Sequence, residues 1–542
     1  MTSSRFSWTV LAALLWAQPV AAETRQPVAS LEAAVKALGA EELAPVLPLF
    51  GAAEIAPVSL AARLETGVGL HPRLDARQQA ALADFYAARG HRPLWVEGQA
   101  EQPVWNAAAK AVQERIAAAG EDGLEPSHYR YPPLGIVARE RPADLASAEL
   151  AMSVAAVLYA RDARGARIDV ARLDRNITPK LDIPDADAVL GVLAAAADPG
   201  AALADFNPPH EGYRLLRQRL AELRSEQPTR PLVHIPEGPL LRVGVRDPRV
   251  PLIRARFGVE PRESAEARLY DRRVAEAVAD YQREQGLASD GIVGSQTLAA
   301  LHAEDPARRE ADVIANMERW RWLPRDLGAR SIVVNIPEYM MRVLDGDEVV
   351  NETRVIVGRP DAPTPIFSDA MNHVVVSPSW TIPPSILRKE VLPGLRADPL
   401  WAEKRGYQVF RDGRNISVRQ PPGPENALGQ IKFMFPNKHH VYLHDTPSRH
   451  LFNTLRRAHS WGCVRVEDPF AFADLILRES GWPEARLRAL IGPRERTVRL
   501  DAPIPIHLVY FTMTADRSGG LRVFEDVYGF NQLVREALGI GA

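Results

Sequence analysis

Apolar residues recur at helical spacing through the N-terminal half of the chain. Four of them lie three or four residues apart and so share one face of a helix: Tyr213, Leu216, Leu220 and Leu223. Residues 27–235 are rich in Ala, Leu and Arg, with turns such as Asp122-Gly123-Leu124 between the helical stretches. We therefore predict an α-helical domain over 27–235. His91 and Trp95 lie beside one of these turns, and we interpret them as packing residues.

A second helical pattern occupies residues 240–305 and predicts a compact unit of three helices. Val250–Arg256 is the first, and the second carries Val274, Val278 and Tyr281 on one face before Gly286. The turn that follows, Asp290 to Ser295, contains two glycines that permit a tight bend before the third helix.

The pattern changes to that of strands from Arg330 onwards. The β-branched runs are Ser331–Ile336, Met340–Val343, Thr353–Val357, His373–Val376, Val441–His444 and Ile506–Thr514. We predict a mainly β domain over 330–515, followed by a C-terminal hairpin and helix over 516–542. Residues 382–437 are long, irregular and rich in proline, which is typical of a functional lid.

The first 22 residues resemble a secretory signal peptide. A cationic Arg5 precedes a short apolar stretch, and small residues lie at the −3 and −1 positions before a cleavage site after Ala22. We therefore expect export of the protein, with an uncleaved N-terminal anchor as the alternative.

Composition narrows the class of protein. Apolar residues make up 46% and charged residues 25%, as in soluble globular proteins. The length of 542 residues allows several domains, and the helical and strand patterns together predict a multidomain α+β protein. The formal net charge is −2, without the basic excess that nucleic-acid binding requires, so we expect no nucleic-acid partner. The single cysteine excludes an intramolecular disulfide and any site that needs several cysteines.

That cysteine, Cys463, is the candidate nucleophile, and His444 upstream is its candidate base. An imidazole can take the proton of a thiol and later return it to a leaving amine. Gly462 lets substrate approach the backbone closely, so that nearby amides can bind an oxyanion. Arg465 suits a substrate carboxylate or holds the loop.

Two other interpretations of these residues remain open. Cys463 can be a buried small apolar residue, as free cysteine often is. Alternatively, a group of residues close in sequence can bind a metal: His439, His440, His444, His450, His459 and Cys463. We interpret the His439-His440 pair as part of a solvated loop, and His459 as a weaker candidate for a direct role beside the thiol.

Two stretches resemble known families. Asp290-Gly291-Ile292-Val293-Gly294 and the following Thr297-Leu298 resemble the small peptidoglycan-binding domain family, in which we expect Asp290, Gly291 and Gly294 to shape the turn. Val441 to His444, together with Ser460-Trp461-Gly462-Cys463-Val464-Arg465, resembles the L,D-transpeptidase catalytic domain. Further residues resemble its large periplasmic members, which add a helical scaffold and a capping insertion: Val334 to Pro337, Val357-Gly358, Thr364-Pro365 and Trp380 to Ile386.

The sequence departs from the transpeptidase pattern at two positions. Trp461 replaces the usual histidine before Gly-Cys, and Asp445 replaces the glycine that often follows the catalytic histidine. We interpret Trp461 as a wall of the substrate groove. Tyr442 has two open interpretations, a hydroxyl for the oxyanion or substrate and a half-buried strand residue. Ser460 and Trp380 complete the predicted oxyanion and substrate set.

The resemblance implies an acyltransferase that forms 3-3 peptidoglycan cross-links. Cys463 would form a thioester with a tetrapeptide stem and release D-Ala, with carbapenems acylating the same thiol and with no cofactor or metal. The resemblance implies peptide stems, glycan strands and cell-wall synthesis proteins as partners. It implies the periplasm of a Gram-negative cell envelope as the location. The implied roles are in cell-wall organisation and cell shape. Alternatives on the same two residues are a carboxypeptidase and a lipoprotein-to-peptidoglycan transferase, and a non-catalytic wall-binding scaffold is the competing class.

Overall fold

The computed structural model describes residues 60–65, 71–99, 102–134, 144–225, 233, 235–285, 287–303, 306–413 and 415–541. The predicted signal peptide, residues 1–22, lies outside them. No helix among the described residues combines the length and the apolar character needed to cross a membrane.

The contacts within the chain divide it into two compact units. Among the described residues, the first consists of those up to 117, with 126–159 and 185–204, and the second of 118–125, 160–184 and those from 205 onwards. Parts of the predicted helical range 27–235 therefore fall in each unit.

The first unit is mainly helical, as predicted. Its helices are Ala76–Ala88, Ala107–Ala117, the part of Asp144–Arg161 up to Tyr159, Ala186–Ala195 and Pro199–Ala204. It also contains an antiparallel hairpin of strands β1 (Val96–Gln99) and β2 (Gln102–Trp105), which the sequence analysis missed. The interpretation of Trp95 as a packing residue is confirmed, because its side chain is fully buried and its indole N–H donates to Ser153 Oγ at 2.7 Å.

The helical part of the second unit includes the helix Glu211–Ser225. Its four predicted apolar residues are all buried, which confirms the helical face. They pack against Val313, Ile314 and Met317 of the helix Pro306–Trp320.

Residues 235–303 have a hydrophobic core of their own, built by three helices as predicted. These helices are Val250–Phe257, Arg272–Glu284 and Ser295–Ala303. In the turn before the third helix, Gly291 has φ +65°, and a Cβ there would lie 2.7 Å from the Ala275 carbonyl oxygen. The Gln282 side chain bonds to the Gly291 amide at 2.8 Å and to the Asp290 carboxylate at 3.0 Å. Asp290 and Gly291 thus shape the turn.

The rest of the unit is built on a nine-stranded sheet. In chain order its strands are β3 (Arg330–Asn335), β4 (Met340–Asp345), β5 (Glu348–Gly358), β6 (Phe367–Val376), β10 (Ile431–Met434), β11 (Leu443–His444), β12 (Ala458–Ser460), β13 (Val464–Val466) and β14 (Arg496–Val509). Their spatial order is β12-β5-β13-β11-β10-β6-β14-β3-β4, and β4 also pairs with β5. Eight strands therefore close into a ring, and helices Pro469–Leu477 and Glu484–Arg488 contribute buried residues to the same large apolar core.

A small insertion follows β6. Strands β7 (Trp380–Thr381), β8 (Gln408–Asp412) and β9 (Asn415–Gln420) form a separate sheet in the order β7-β9-β8. This sheet and the short helices at Pro384–Ile386 and Leu392–Ala397 share a small apolar core. The predicted lid, 382–437, thus also includes β10, a strand of the large sheet.

The C-terminal segment forms a hairpin and a helix, but the hairpin begins at Met513, before the predicted boundary at 516. Strands β15 (Met513–Ala515) and β16 (Leu521–Val523) pair, and the helix Phe530–Leu538 follows. The predicted strand Ile506–Thr514 is interrupted after Val509. Asn335 Oδ1 accepts from the Phe511 amide at 2.9 Å and Asn316 Oδ1 from the Thr512 amide at 3.0 Å, so side chains take the place of a neighbouring strand there.

Candidate active site

The two predicted catalytic residues lie on neighbouring strands. His444 ends β11, and Cys463 immediately precedes β13. The strands are parallel, with His444 opposite Arg465. Since Leu443 and Val464, the residues beside this pair, are buried in the barrel core, His444 and Arg465 project from the other face of the sheet.

On that face a cavity of about 570 Å³ brings the predicted site residues together. Its walls come from the start of the insertion, from the segments before and within β11, and from the nucleophile loop. The predicted site residues in its lining are Cys463, His444, Ser460, Tyr442, Arg465, Trp461 and Trp380. Gly462 lies next to Cys463 in that loop, and the Cys463 side chain is partly exposed.

Hydrogen bonding fixes the tautomer of His444. Its Nδ1 lies 2.5 Å from the Asp445 carbonyl oxygen, which can only accept, so Nδ1 carries the proton. The Nε2 lone pair is therefore available as a base. Burial, then the positive charges of Arg465 and Lys432, lower the imidazole pKa to about 3, although the bond to Asp445 opposes this. His444 is neutral at physiological pH.

The thiol of Cys463 is also neutral at rest. Burial raises its pKa to about 11, partly offset by hydrogen bonds from the Tyr442 backbone and side chain and by the charge of Arg465. The resting pair is therefore a thiol and a neutral imidazole. The thiol proton has to pass to the imidazole as the sulfur attacks.

Tyr442 contacts the nucleophile directly. Its side chain hydrogen-bonds to Cys463 and to Trp380, and burial raises the pKa of its phenol. Its carbonyl accepts from the Val464 amide at 3.1 Å. Tyr442 therefore links the thiol to Trp380, the first residue of β7. Neither of the two sequence-based interpretations of Tyr442 included this contact.

Gly462 and Ser460 shape the nucleophile loop. Gly462 has φ +111°, a conformation that favours glycine. Ser460 Oγ accepts from the Gly462 amide at 3.1 Å and donates to the Cys463 carbonyl at 2.5 Å. The Gly462 amide is thus already bonded within the loop.

Thr364 holds the loop from the other side and was missed as a site residue. Its hydroxyl donates to the Gly462 carbonyl at 2.8 Å and accepts from the Gly358 amide, also at 2.8 Å. Tyr528 supports the same segment, since its hydroxyl donates to the Gly358 carbonyl at 2.6 Å and accepts from the Thr364 amide at 3.2 Å. Gly358 and Thr364-Pro365 were part of the family resemblance, which was the only signal for this contact.

The sequence analysis identified Asp445 as a departure from the family pattern, but it did not predict the structural role of this residue. Its buried carboxylate accepts from the Gln430 amide at 2.9 Å and from Arg449 at 2.7 Å. A Cβ on Gly429 would lie 2.4 Å from the Asp445 carboxyl carbon, so glycine is required at that position. These contacts fix the carbonyl that orients His444.

Trp461 joins the nucleophile loop to the insertion. It packs against the small core of the insertion. The Arg359 guanidinium carbon lies 3.4 Å from the centroid of its ring, and Lys389 Nζ of the insertion lies 5.3 Å from it. This position of Trp461 agrees with its interpretation as a wall of the substrate groove.

The remaining histidines are placed differently. His459 is exposed, with Nε2 3.1 Å from Thr454 Oγ1, and lies outside the cavity lining. His440 is exposed, whereas His439 is partly buried with Nε2 2.7 Å from Thr178 Oγ1, so the loop is only partly solvated. Within the described ranges, no three His, Cys, Asp or Glu side chains group closely enough to hold a metal ion. The metal alternative therefore has no ligand set in this part of the chain.

Three segments of the chain match known families. Residues 80–220 match a family described as "Scaffold domain", 255–301 one described as "Putative peptidoglycan binding domain", and 329–497 one described as "L,D-transpeptidase catalytic domain". These matches agree with the order of domains expected from the sequence.

Individual proteins are also similar to this chain. A Haemophilus influenzae protein named "Putative L,D-transpeptidase" is 31% identical over 277 residues, 47% of this chain and 55% of that protein. The chain thus spans about half the length of this curated relative.

Two solved structures align with lower similarity. An L,D-transpeptidase from Xylanimonas cellulosilytica aligns at 16% identity over 50% of this chain and 98% of its own, with a TM-score of 0.17. The Ldtfm–avibactam carbamoyl enzyme aligns at 13% identity over 33% of this chain and 49% of its own, also with a TM-score of 0.17. The comparisons thus show that residues 329–497 match the L,D-transpeptidase catalytic domain family.

Proposed function

We propose that this protein is a peptidoglycan L,D-transpeptidase that forms 3-3 cross-links through a thioester on Cys463. The observation that carries the proposal is the placement of Cys463 and His444. Both line one cavity, from adjacent strands, with the imidazole held in the tautomer that leaves Nε2 free. A nucleophile beside an oriented base is the arrangement that acyl transfer requires.

In the first half-reaction, a tetrapeptide stem is the acyl donor. Cys463 Sγ attacks the carbonyl carbon of the third residue, and its proton passes to His444 Nε2. The C–N bond to the terminal D-Ala then breaks, and His444 returns the proton to the departing amine. The products are a thioester and free D-Ala.

In the second half-reaction, a neighbouring stem is the acceptor. His444 takes a proton from the side-chain amine of its diaminopimelate, and the nitrogen attacks the thioester carbonyl. The C–S bond breaks, the thiolate regains a proton, and the 3-3 cross-link is complete. A covalent intermediate divides one difficult transfer into two easier steps.

The surrounding residues stabilise charge that develops during these steps. Arg465 and the Tyr442 side chain lower the thiol pKa and so favour the thiolate form. Because the Gly462 amide bonds to Ser460, we assign the oxyanion to the Cys463 amide and the Tyr442 hydroxyl. Trp380 and Trp461 form the apolar walls against which the stem packs.

The insertion acts as a lid over the acyl-enzyme. Residues 380–384, Ile386 and Trp461 line the cavity, and the insertion has an apolar core of its own. Closure of such a lid excludes the water that would hydrolyse the thioester.

The domain that precedes the catalytic domain supports the partners and the location of the reaction. A match to a peptidoglycan-binding family supports glycan strands as partners and the cell envelope as the location, and we assign the periplasm. Carbapenems acylate the same thiol under this proposal. A role in cell-wall organisation and cell shape follows from cross-linking itself.

The decisive test is an analysis of soluble products. Wild type and His444→Gln are each mixed with a disaccharide-tetrapeptide, and free D-Ala and the linked dimer are measured. We expect both products from the wild type and neither from the variant. D-Ala release without dimer indicates a carboxypeptidase, and a linkage only to an added lipoprotein lysine indicates the alternative transferase. An unchanged substrate with a folded wild type favours the wall-binding scaffold.

A further inference from the structure

Lys432 faces the catalytic histidine from the strand opposite Cys463. In the antiparallel pair of β10 and β11, Lys432 lies directly opposite His444, and His444 in turn lies opposite Arg465 of β13. Residues opposite each other in a ladder share one face of the sheet, with Cβ atoms about 5 Å apart in an antiparallel pair. Lys432, His444 and Arg465 thus form a row across three adjacent strands, with a cation on either side of the histidine.

The two cations of this row differ in their access to substrate. Arg465 lines the cavity, whereas Lys432 is not among the described residues that line it. The ammonium nitrogen of Lys432 lies 5.9 Å from the centroid of the Tyr442 ring. Burial lowers the Lys432 pKa, while the carboxylate of Glu495 opposes the loss of its charge. Lys432 is therefore placed to act on His444 rather than on a stem peptide.

The charges around His444 all oppose its protonation or leave it unaffected. Arg465 faces it from β13 and Lys432 from β10. Tyr442 precedes it on β11, Cys463 joins it in the cavity, and His439 and His440 line the cavity as well. Asp445 offers only its carbonyl, because its carboxylate bonds to the Gln430 amide and to Arg449. A cation on either side of an imidazole disfavours the imidazolium form.

We propose, on the basis of the proposed function, that Lys432 is a positioning residue for proton transfer, whose charge favours the neutral form of His444 that accepts the thiol proton. An imidazolium cannot accept that proton, so a positive charge beside His444 extends acylation to lower pH. Burial and Arg465 act in the same direction, and Lys432 adds to their effect.

The test compares wild type with Lys432→Met and Lys432→Arg in the full-length protein. The first readout is the pH dependence of kcat/KM for D-Ala release from a disaccharide-tetrapeptide. We expect the acidic limb of the profile to move about one pH unit higher in Lys432→Met and to stay in place in Lys432→Arg. An acidic limb that stays in place in Lys432→Met, even with reduced activity, overturns the proposal.

The second readout needs no substrate. The pKa of His444 is followed directly by the pH dependence of its imidazole NMR signals, which are assigned by comparison with His444→Gln. We expect this pKa to be about one unit higher in Lys432→Met than in wild type and unchanged in Lys432→Arg. Equal values in wild type and Lys432→Met contradict the proposal. If wild type releases no D-Ala at all, the proposed function fails, and the imidazole pKa alone decides the role of Lys432.

Discussion

The imidazole Nδ1 of His444 donates to the backbone carbonyl of Asp445, the next residue in the chain, at 2.5 Å. A carbonyl takes the place of the carboxylate that orients the histidine in many catalytic triads. A carbonyl carries no net charge, so it stabilises the protonated imidazole less than a carboxylate would. Burial and two cations therefore lower the pKa of His444, although the bond to Asp445 opposes them.

The first prediction concerns the dependence of stability on pH. His444 has a pKa of about 3 in the folded protein and 6.5 in the unfolded chain, so the unfolded chain binds more protons between these values. The free energy of unfolding therefore falls as the pH is lowered from 6.5 towards 3. Between pH 7 and pH 5, His444→Gln should lose about 2 kcal/mol less than wild type, measured by urea denaturation.

The matched control for this experiment is His440→Gln, since His440 is exposed. It should lose as much stability as wild type over the same interval. Equal losses in all three proteins would show that His444 is not buried in its neutral form.

The second prediction concerns the contact of Tyr442 with the thiol. Tyr442→Phe removes a hydrogen bond that lowers the Cys463 pKa, so the thiol pKa should rise. Hydrogen bonds to charged groups contribute about 1.5–3 kcal/mol, which corresponds to acylation slower by about tenfold or more. The rate of Cys463 alkylation against pH measures the shift. Tyr281→Phe, in the small three-helix unit, is the control and should match wild type.

The third prediction concerns Thr364, which bridges Gly358 and Gly462. Thr364→Val leaves a buried amide and a carbonyl without this partner, at a cost of about 1–3 kcal/mol in the free energy of unfolding. Because the Gly462 carbonyl belongs to the nucleophile loop, D-Ala release should slow as well. Thr497→Val, at an exposed strand position, should alter neither quantity. Normal D-Ala release by Thr364→Val would rule out a role in positioning the loop.

The fourth prediction tests the lid. Trp461→Ala removes the ring that contacts Arg359 and Lys389, so the insertion should close less firmly on the acyl-enzyme. The ratio of cross-linked dimer to released D-Ala should therefore fall as water competes for the thioester. Trp482→Ala, which removes a ring outside the cavity lining, is the control. An unchanged ratio in Trp461→Ala would count against the lid.

Periodicity in the sequence was sufficient for much of the fold. The apolar face from Tyr213 to Leu223 and the three helices of 235–303 follow from local spacing, and the structure confirms both. The break after Val509 was not predictable, because it depends on Asn316 and Asn335, which are distant in sequence.

The candidate site, like the fold, was predictable from the sequence only in part. Cys463, Arg465 and their neighbours stand in one motif, so the sequence was enough to select them. Lys432 became visible only from the strand register. Thr364 belonged to the family resemblance, but its role became visible only from a hydrogen bond spanning 98 residues. Sequence reasoning selects residues by chemical type, whereas contacts of this kind depend on the completed sheet.

The most direct measurement is the intact mass of the protein after incubation with a disaccharide-tetrapeptide, for wild type and Cys463→Ala. The account predicts that wild type alone gains the mass of the donor minus D-Ala, and that the adduct disappears when an acceptor stem is added. Equal masses with and without substrate for folded wild type, together with no released D-Ala, would contradict the thioester mechanism.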